Sequence, residues 1–285
     1  MKYPNLINAV FGQPWAITEG YMDIICGVIE SRIADTEAAG VPGKLQFTKR
    51  PAAEVENRNG VAIIPMMGVI SPRMNLFSEI SGGTSIEKLQ DEFMAAHNSP
   101  DTVATLFRID SPGGNVQGVF EFADVIWQMR SQSTKPVLAH IEGTGCSAAY
   151  LIASQCDNVT ATVGSEAGSI GVIVKMQDSS RAEMNDGRQT HIIRSDPTKA
   201  PGSGPVTTDQ LGYMQDRVNS LGAMFRAYVS RSRPGADLER AKAMSLPASV
   251  VGSSSNLPSA AEVGLIDSIS TLDEVVRQYG RRATK

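Results

Sequence analysis

Two serines, a lysine and a pair of glycines sit in turns that could present them to a substrate. Gly143-Thr144-Gly145-Cys146-Ser147-Ala148-Ala149-Tyr150 follows the apolar run Val137–Ile141. Its small residues allow a tight passage from strand into helix, which would expose the Ser147 hydroxyl as a nucleophile elbow does. A helix starting there would favour a developing anion. Serine is also a common N-cap, so the pattern alone leaves Ser147 both readings. Cys146 is a rival nucleophile without a His–Asn partner pattern. Upstream, Asp110-Ser111-Pro112-Gly113-Gly114 follows the run Val103–Ile109. Two adjacent glycines there could offer main-chain N–H donors to an oxyanion. The run is neither G-x-G-x-x-G nor a Walker loop, so phosphate binding is not expected. Gly168-Ser169-Ile170-Gly171 holds Ser169 in a glycine frame, and Lys199 stands among Pro197, Pro201 and Gly202. In isolation such a lysine reads as solvated.

These turns need a scaffold, and its pattern is α/β. Apolar runs at 61–70, 103–109, 137–141, 158–163, 171–174 and 190–195 read as strands. Helical patterns at 85–97, 116–130, 147–155 and 178–185 alternate with them, which implies βαβ units and a largely parallel sheet covered on both faces. Thr207 and Gln210 form a capping box. After it, Leu211, Met214, Val218, Leu221, Phe225 and Tyr228 recur at helical spacing, either to dock on the core or to meet another subunit. A last helix is expected over 272–279, before a basic tail with Arg281, Arg282 and Lys285. Residues 1–57 read as an N-terminal arm and linker, with Thr18 capping a helix whose apolar positions are Tyr21, Ile24, Ile25, Val28, Ile29 and Ile33. The remaining 58–285 form the main domain.

Composition narrows the chemistry. The chain has 285 residues, 41% apolar and 20% charged, with a net charge of −4. That argues against a general binder of nucleic acid or of anionic membranes. No apolar run is long enough to span a bilayer, and the start carries no uninterrupted apolar signal segment, so a cytoplasmic protein is expected. Three Cys and three His show no metal-ligand spacing, so neither a zinc site nor a disulfide framework is expected, and no cofactor is implied. An enzyme of this composition must work with few imidazoles.

Read together, the motifs resemble the signal peptide peptidase A family of serine peptidases. The ordered series is Met67-Gly68-Val69-Ile70, Arg108-Ile109-Asp110-Ser111-Pro112-Gly113-Gly114, Lys135-Pro136-Val137, Ser147-Ala148-Ala149-Tyr150, Ala167-Gly168-Ser169-Ile170-Gly171-Val172, Lys199 and Ala261-Glu262-Val263-Gly264-Leu265-Ile266-Asp267. Ala148-Ala149 stands where the family has Gly-Gly. The resemblance covers about residues 58–275 and implies the Clp protease/crotonase-like fold of repeated ββα units. It implies a Ser147–Lys199 dyad, an oxyanion hole drawn from Gly113, Gly114 and Ala148, and Ser169 orienting the lysine. The N-terminal arm is similar to that of the phage head-maturation branch, whose members lack a membrane anchor. That branch implies polypeptide substrates among scaffold, capsid or portal-associated proteins, a homo-oligomeric ring, and work in the host cytoplasm or prohead. Other readings are a bacterial signal-peptide-peptidase-like protease, an acyl-CoA enzyme on the same fold, a Ser-His-Asp peptidase using His191, and an inactive capsid-assembly scaffold. His191, within an apolar strand pattern, reads as structural.

Overall fold

The computed structural model describes residues 10–34, 54–73, 83–178, 180–187, 205–250 and 257–280, with positions 189, 191, 193, 195 and 196. Lys199, residues 35–53 of the expected linker and the basic tail lie outside the described residues. In chain order the elements are β1 (Trp15–Ile17), α1 (Glu19–Ala34), β2 (Glu56–Arg58), β3 (Val61–Met67), β4 (Ile70–Ser71), β5 (Thr84–Ser85) and α2 (Ile86–Asn98). Then come β6 (Ala104–Ser111), β7 (Gly113–Asn115), α3 (Val119–Gln132), β8 (Val137–Cys146), α4 (Ala148–Ser154), β9 (Asn158–Ala161) and β10 (Glu166–Gly168). The chain continues through α5 (Ser180–Asn185), α6 (Thr208–Ser232), α7 (Leu238–Ala241), β11 (Ser245–Pro247), β12 (Ser268–Ile269) and α8 (Leu272–Tyr279).

The chain divides into two compact units. The larger comprises 16–18, 45–171 and 225–285. Its main sheet runs β11-β10-β8-β6-β3-β2, with β9 also on β8 and β12 on β9. The central pairings β3–β6, β6–β8, β8–β9 and β8–β10 are parallel, and only β2 and β11 run antiparallel to their neighbours. A second, small sheet has the order β1-β7-β4-β5.

Alternation along the strands explains why both faces are covered. Val61, Ile63, Leu106 and Leu138 point to one side, where Leu272, Val275 and Val276 of α8 close over them. Phe107 points to the other side and meets Phe93 of α2 and Phe122 of α3 at ring-centroid distances of 5.3 and 5.9 Å. Burying both faces is what makes these strands read as unbroken apolar runs. Helix ends follow local chemistry. Ser85 caps α2 through the Lys88 N–H, and Thr271 with Glu274 forms a complete capping box on α8.

The smaller unit comprises 1–15, 19–44 and 172–224. Trp15 and Ile173 exchange backbone hydrogen bonds at 2.8 Å in each direction, and Asp178 accepts from the Ser180 and Val206 N–H groups.

Four expectations change. Residues 171–174 form no strand, only the single bridge Trp15–Ile173. The strand expected at 190–195 is absent among its described positions: His191 is exposed and Ile193 is 98% exposed. Ile193 buries too little apolar surface to hold a strand there. His191 is therefore not a core histidine. Among the described side chains of α1, Met22, Ile25 and Cys26 are buried while Tyr21 and Ile24 face outward, a rotation of one position about the helix; the side chains of Val28, Ile29 and Ile33 lie outside the described ones. In α6 Met214, Phe225 and Val229 are buried, but Leu211 is 52% exposed, so the expected stripe is interrupted. The Thr207–Gln210 capping box is present.

Candidate active site

The site grows from a fault in the main sheet. Through Ile141, β8 keeps regular register with β6 on one side and β9 on the other. Ile109 pairs with Ile141, yet Ser111 pairs with Gly145, so Asp110 stands opposite Glu142, Gly143 and Thr144. Beyond this step β8 changes partner: Thr144, Gly145 and Cys146 pair with Glu166, Ala167 and Gly168 of β10. The displaced strand end delivers Ser147 directly into α4.

Ser147 adopts φ 54° and ψ −120°. An L-residue with positive φ outside the left-handed helical region is strained, at a cost of about 1–3 kcal/mol. Only four described non-glycine residues have positive φ, and two of them are Ser147 and Ser169. The strain is held by the backbone: Ser147 N–H donates to Gly168 O at 2.7 Å, and Ser169 N–H donates to Met244 O at 2.7 Å. The two serines are thus bound to one frame. Ser147 occupies the N-cap position of α4, but its side chain makes no capping hydrogen bond. Its Oγ makes a long contact of 3.4 Å to Gly171 O, and the residue is buried. The N-cap reading left open by the sequence is excluded, because the hydroxyl is not spent on the helix.

Gly113 faces this serine. Gly113 has φ 99°; a Cβ there would collide with the Ala16 carbonyl and stand 2.9 Å from Ser147 Cβ and 3.0 Å from Ala148 N. At Gly114 a Cβ would collide with the Ile70 carbonyl across the β4–β7 pairing. A side chain at Gly113 would clash with Ser147 and Ala148, and one at Gly114 with Ile70 of β4, which gives each glycine its own steric reason. Gly113 N–H is already donated to Ser111 Oγ at 3.2 Å, and that hydroxyl donates to Gly68 O at 2.6 Å. Gly113, Gly114, Ser147, Ala148 and Ser169 are therefore gathered in one place. Lys199 lies outside the described residues.

Cys146, the rival nucleophile, is disarmed. Its Sγ lies 3.4 Å from Ser245 Oγ, and burial pushes the thiol up to about 11. A nucleophilic cysteine requires a lowered value.

Several motif residues have structural work that spacing did not reveal. Lys135 Nζ donates to His97 O and Ser99 O at 2.8 and 2.7 Å, closing the C-terminus of α2. Tyr150 is buried and donates to Leu265 O at 2.8 Å. Asp267 receives the Arg233 guanidinium through both oxygens and accepts the Val159 N–H at 2.7 Å, tying the C-terminal segment to β9. Arg108 Nε contacts Glu142 at 2.6 Å beside the β8 step. Arg233 carries no motif signal, and only its partner Asp267 could have pointed to it. Among the described residues no cluster of three or more His, Cys, Asp or Glu suits a metal ion, and no helix is long and apolar enough to cross a membrane.

Comparison with known proteins gives the following. The model of peptidase family S49 matches residues 129–284, a span holding Ser147, Ser169 and Lys199. The head-tail preconnector protein GP5 of Enterobacteria phage P21 is 32% identical over 243 residues, 79% of this chain and 48% of that protein. The capsid assembly protease C of Escherichia phage lambda is 30% identical over 183 residues, 64% of this chain and 41% of that protein. The chain thus spans about half the length of the curated relatives it matches, or less. Among solved structures, the 1510-N membrane-bound stomatin-specific protease aligns with a TM-score of 0.41 and 14% identity, covering 78% of this chain and 86% of that one.

Proposed function

The chain belongs to peptidase family S49, and on that premise we propose that it is a serine endopeptidase with Ser147 as nucleophile and Lys199 as general base. The observation that carries the reading is Ser147 itself: a strained serine at a strand–helix junction, with no capping hydrogen bond, one long contact to Gly171 O and Gly113 packed against it. Strain of this kind persists only where the surroundings over-determine it, and it clusters at active sites. Lys199 enters from its place in the motif series, 199 − 147 = 52 residues beyond the serine.

In this mechanism Ser147 Oγ attacks the scissile carbonyl carbon while its proton passes to the neutral Lys199 amine. The carbonyl oxygen becomes an oxyanion, held by the N–H groups of Gly114 and Ala148. Gly113 acts sterically, since its own N–H serves Ser111. The C–N bond then breaks as Lys199 returns the proton to the leaving amine. Water, deprotonated by the same lysine, attacks the acyl-enzyme ester and frees Ser147. A lysine amine is ordinarily protonated near neutrality, and withdrawal from water favours its neutral form. Ser169, in the same frame, orients the amine.

The relatives' names, capsid assembly protease and head-tail preconnector protein, support a substrate class of phage scaffold, capsid or portal-associated polypeptide, cleaved in the host cytoplasm or the prohead. A homo-oligomeric ring belongs to the same proposal. The deciding experiment is covalent labelling with a fluorophosphonate probe. Labelling should map to Ser147, vanish in Ser147→Ala and collapse in Lys199→Arg, since arginine stays protonated. Labelling undiminished in either variant would refute the corresponding role.

A further inference from the structure

The step in β8 is held from two sides. Asp110 Oδ1 accepts the Thr144 N–H at 3.0 Å. Gly143 takes φ 112°, and a Cβ there would stand 2.6 Å from that same oxygen, so the bulged backbone lies against the carboxylate. From the other side the Ser165 hydroxyl accepts the Gly143 N–H at 3.0 Å and donates to Ile141 O at 2.9 Å. Asp110 is itself anchored, because its carbonyl accepts the Gly68 N–H at 2.8 Å. The next residue, Ser111, ties Gly68 to Gly113. Successive strand residues face opposite ways. The end of β6 therefore grips the nucleophile strand with one residue and the glycine turn with the next.

We propose that Asp110 is a positioning residue for peptide cleavage: its carboxylate fixes the β8 step and thereby sets Ser147 against the Gly113–Gly114 turn. It acts through Thr144, three residues before the nucleophile. The proposal rests on the Ser147 reading above. Bulges that re-aim a side chain recur beside active sites. An error of about 1 Å in reacting geometry can cost about a hundredfold in rate.

The test is saturation kinetics of fluorophosphonate labelling on the full chain, with melting temperatures measured in parallel. Asp110 is exposed, so its variants are expected to fold. Asp110→Ala should lower the limiting labelling rate about tenfold to a hundredfold while leaving the half-saturating probe concentration and melting temperature near the parent's. Asp110→Asn, whose amide oxygen can still accept the Thr144 N–H, should recover most of the rate. Asp110→Glu, which keeps the charge but moves the acceptor, should stay slow and serves if the alanine variant does not fold. Parent-like labelling in Asp110→Ala or Asp110→Glu would overturn the proposal, as would a change confined to the half-saturating probe concentration or an asparagine variant as slow as alanine. A parent chain that is not labelled at Ser147 would overturn the nucleophile reading and this one with it. Normal Ser147 labelling that is indifferent to Asp110 would overturn this one alone.

Discussion

The first half of β8, Val137–Ile141, and its last residues, Thr144–Cys146, belong to one strand and obey different rules. The first half is apolar and buried, lies in regular register between β6 and β9, and sits under helices on both faces. The second half has lost that register, pairs with β10 instead, and is followed directly by Ser147 with φ 54°. Sequence, pairing and packing agree in the first half. In the second, backbone geometry is forced against the preference of the residues that carry it. Departures from local consistency are expected at functional sites, and the surrounding structure offsets their cost. The comparison says that β8 stores stability at one end and spends part of it holding Ser147 at the other.

The largest expected effect breaks the functional end alone. Ser147→Ala should reduce peptide cleavage by about a millionfold, the scale seen when a serine nucleophile is removed from an acylating enzyme. The unfolding midpoint should stay near the parent's, because the hydroxyl makes no cap and only one long contact. Turnover measured beside urea unfolding checks both halves, and substantial residual activity would end the nucleophile assignment. The opposite break lies in the regular part of the sheet. Phe107→Ala, across from Ala139 of β8, removes a ring packed on Phe93 and Phe122 and should cost about 3–5 kcal/mol of stability. Those molecules that remain folded should keep their labelling rate at Ser147. A variant that unfolds at parent-like urea would show that the aromatic cluster is not the core it is taken to be.

Legibility from sequence followed the same division. The strands expected at 61–70 and 103–109, found as 61–67 with 70–71 and as 104–111, and the helix expected at 272–279 were readable because local pattern and tertiary burial coincide there. The strand expected at 171–174 shrinks to the bridge Trp15–Ile173, and the described positions of the one expected at 190–195 are exposed, because a short apolar run becomes a strand only where a partner pairs along its length. Ser147 was legible as a motif, but its strain was not, since φ at a strand–helix junction is imposed by Gly168 and β10 rather than by neighbours in the chain. Cys146 could be dismissed only once its burial beside Ser245 was known. The part played by Asp110 depends on a register shift between two strands, which no single-strand pattern encodes. Lys199 is legible solely as one member of an ordered series.

A smaller effect tests the buried half through pH. His140 lies in the regular part of β8, with Nδ1 2.7 Å from Thr160 Oγ1, and His97 of α2 makes the equivalent contact to Thr105 at 2.9 Å. Among the described residues both Nε2 atoms are buried without a hydrogen-bond partner. Burial holds both imidazoles below their ordinary pKa; Lys135 adds to this at His97 and Asp157 opposes it, while at His140 Glu142 opposes it and Arg108 adds to it. Unfolding releases neutral imidazoles that take up protons near pH 6.5, so the unfolded chain binds more protons than the native one below that value. Their contribution is therefore fully present above about pH 6.5 and declines as pH falls toward the lowered native values. Urea unfolding from pH 8 to 5 should show this slope, and His97→Leu and His140→Leu should each flatten it. An unchanged slope in both variants would assign acid sensitivity elsewhere.

The smallest effect is the sharpest comparison, because one type of substitution should change sign between the buried half of β8 and the residue that follows the strand. Ala139→Gly in the buried half removes a packed methyl and frees the unfolded backbone, so it should destabilise by about 1–2 kcal/mol. Ser147→Gly also frees the unfolded backbone, at a similar entropic cost of about 0.5–1 kcal/mol. It also removes the Cβ that makes φ 54° expensive, and that strain is worth about 1–3 kcal/mol. The net should be a gain of about 1 kcal/mol, in a protein that has lost the proposed nucleophile and with it labelling by the probe. Urea unfolding of the two variants beside the parent reads the signs directly. If both glycines destabilise alike, Ser147 carries no strain and the two halves of β8 do not differ in the way the backbone geometry implies. If the signs oppose, the cost of presenting the serine has been measured as stability recovered when the serine is taken away.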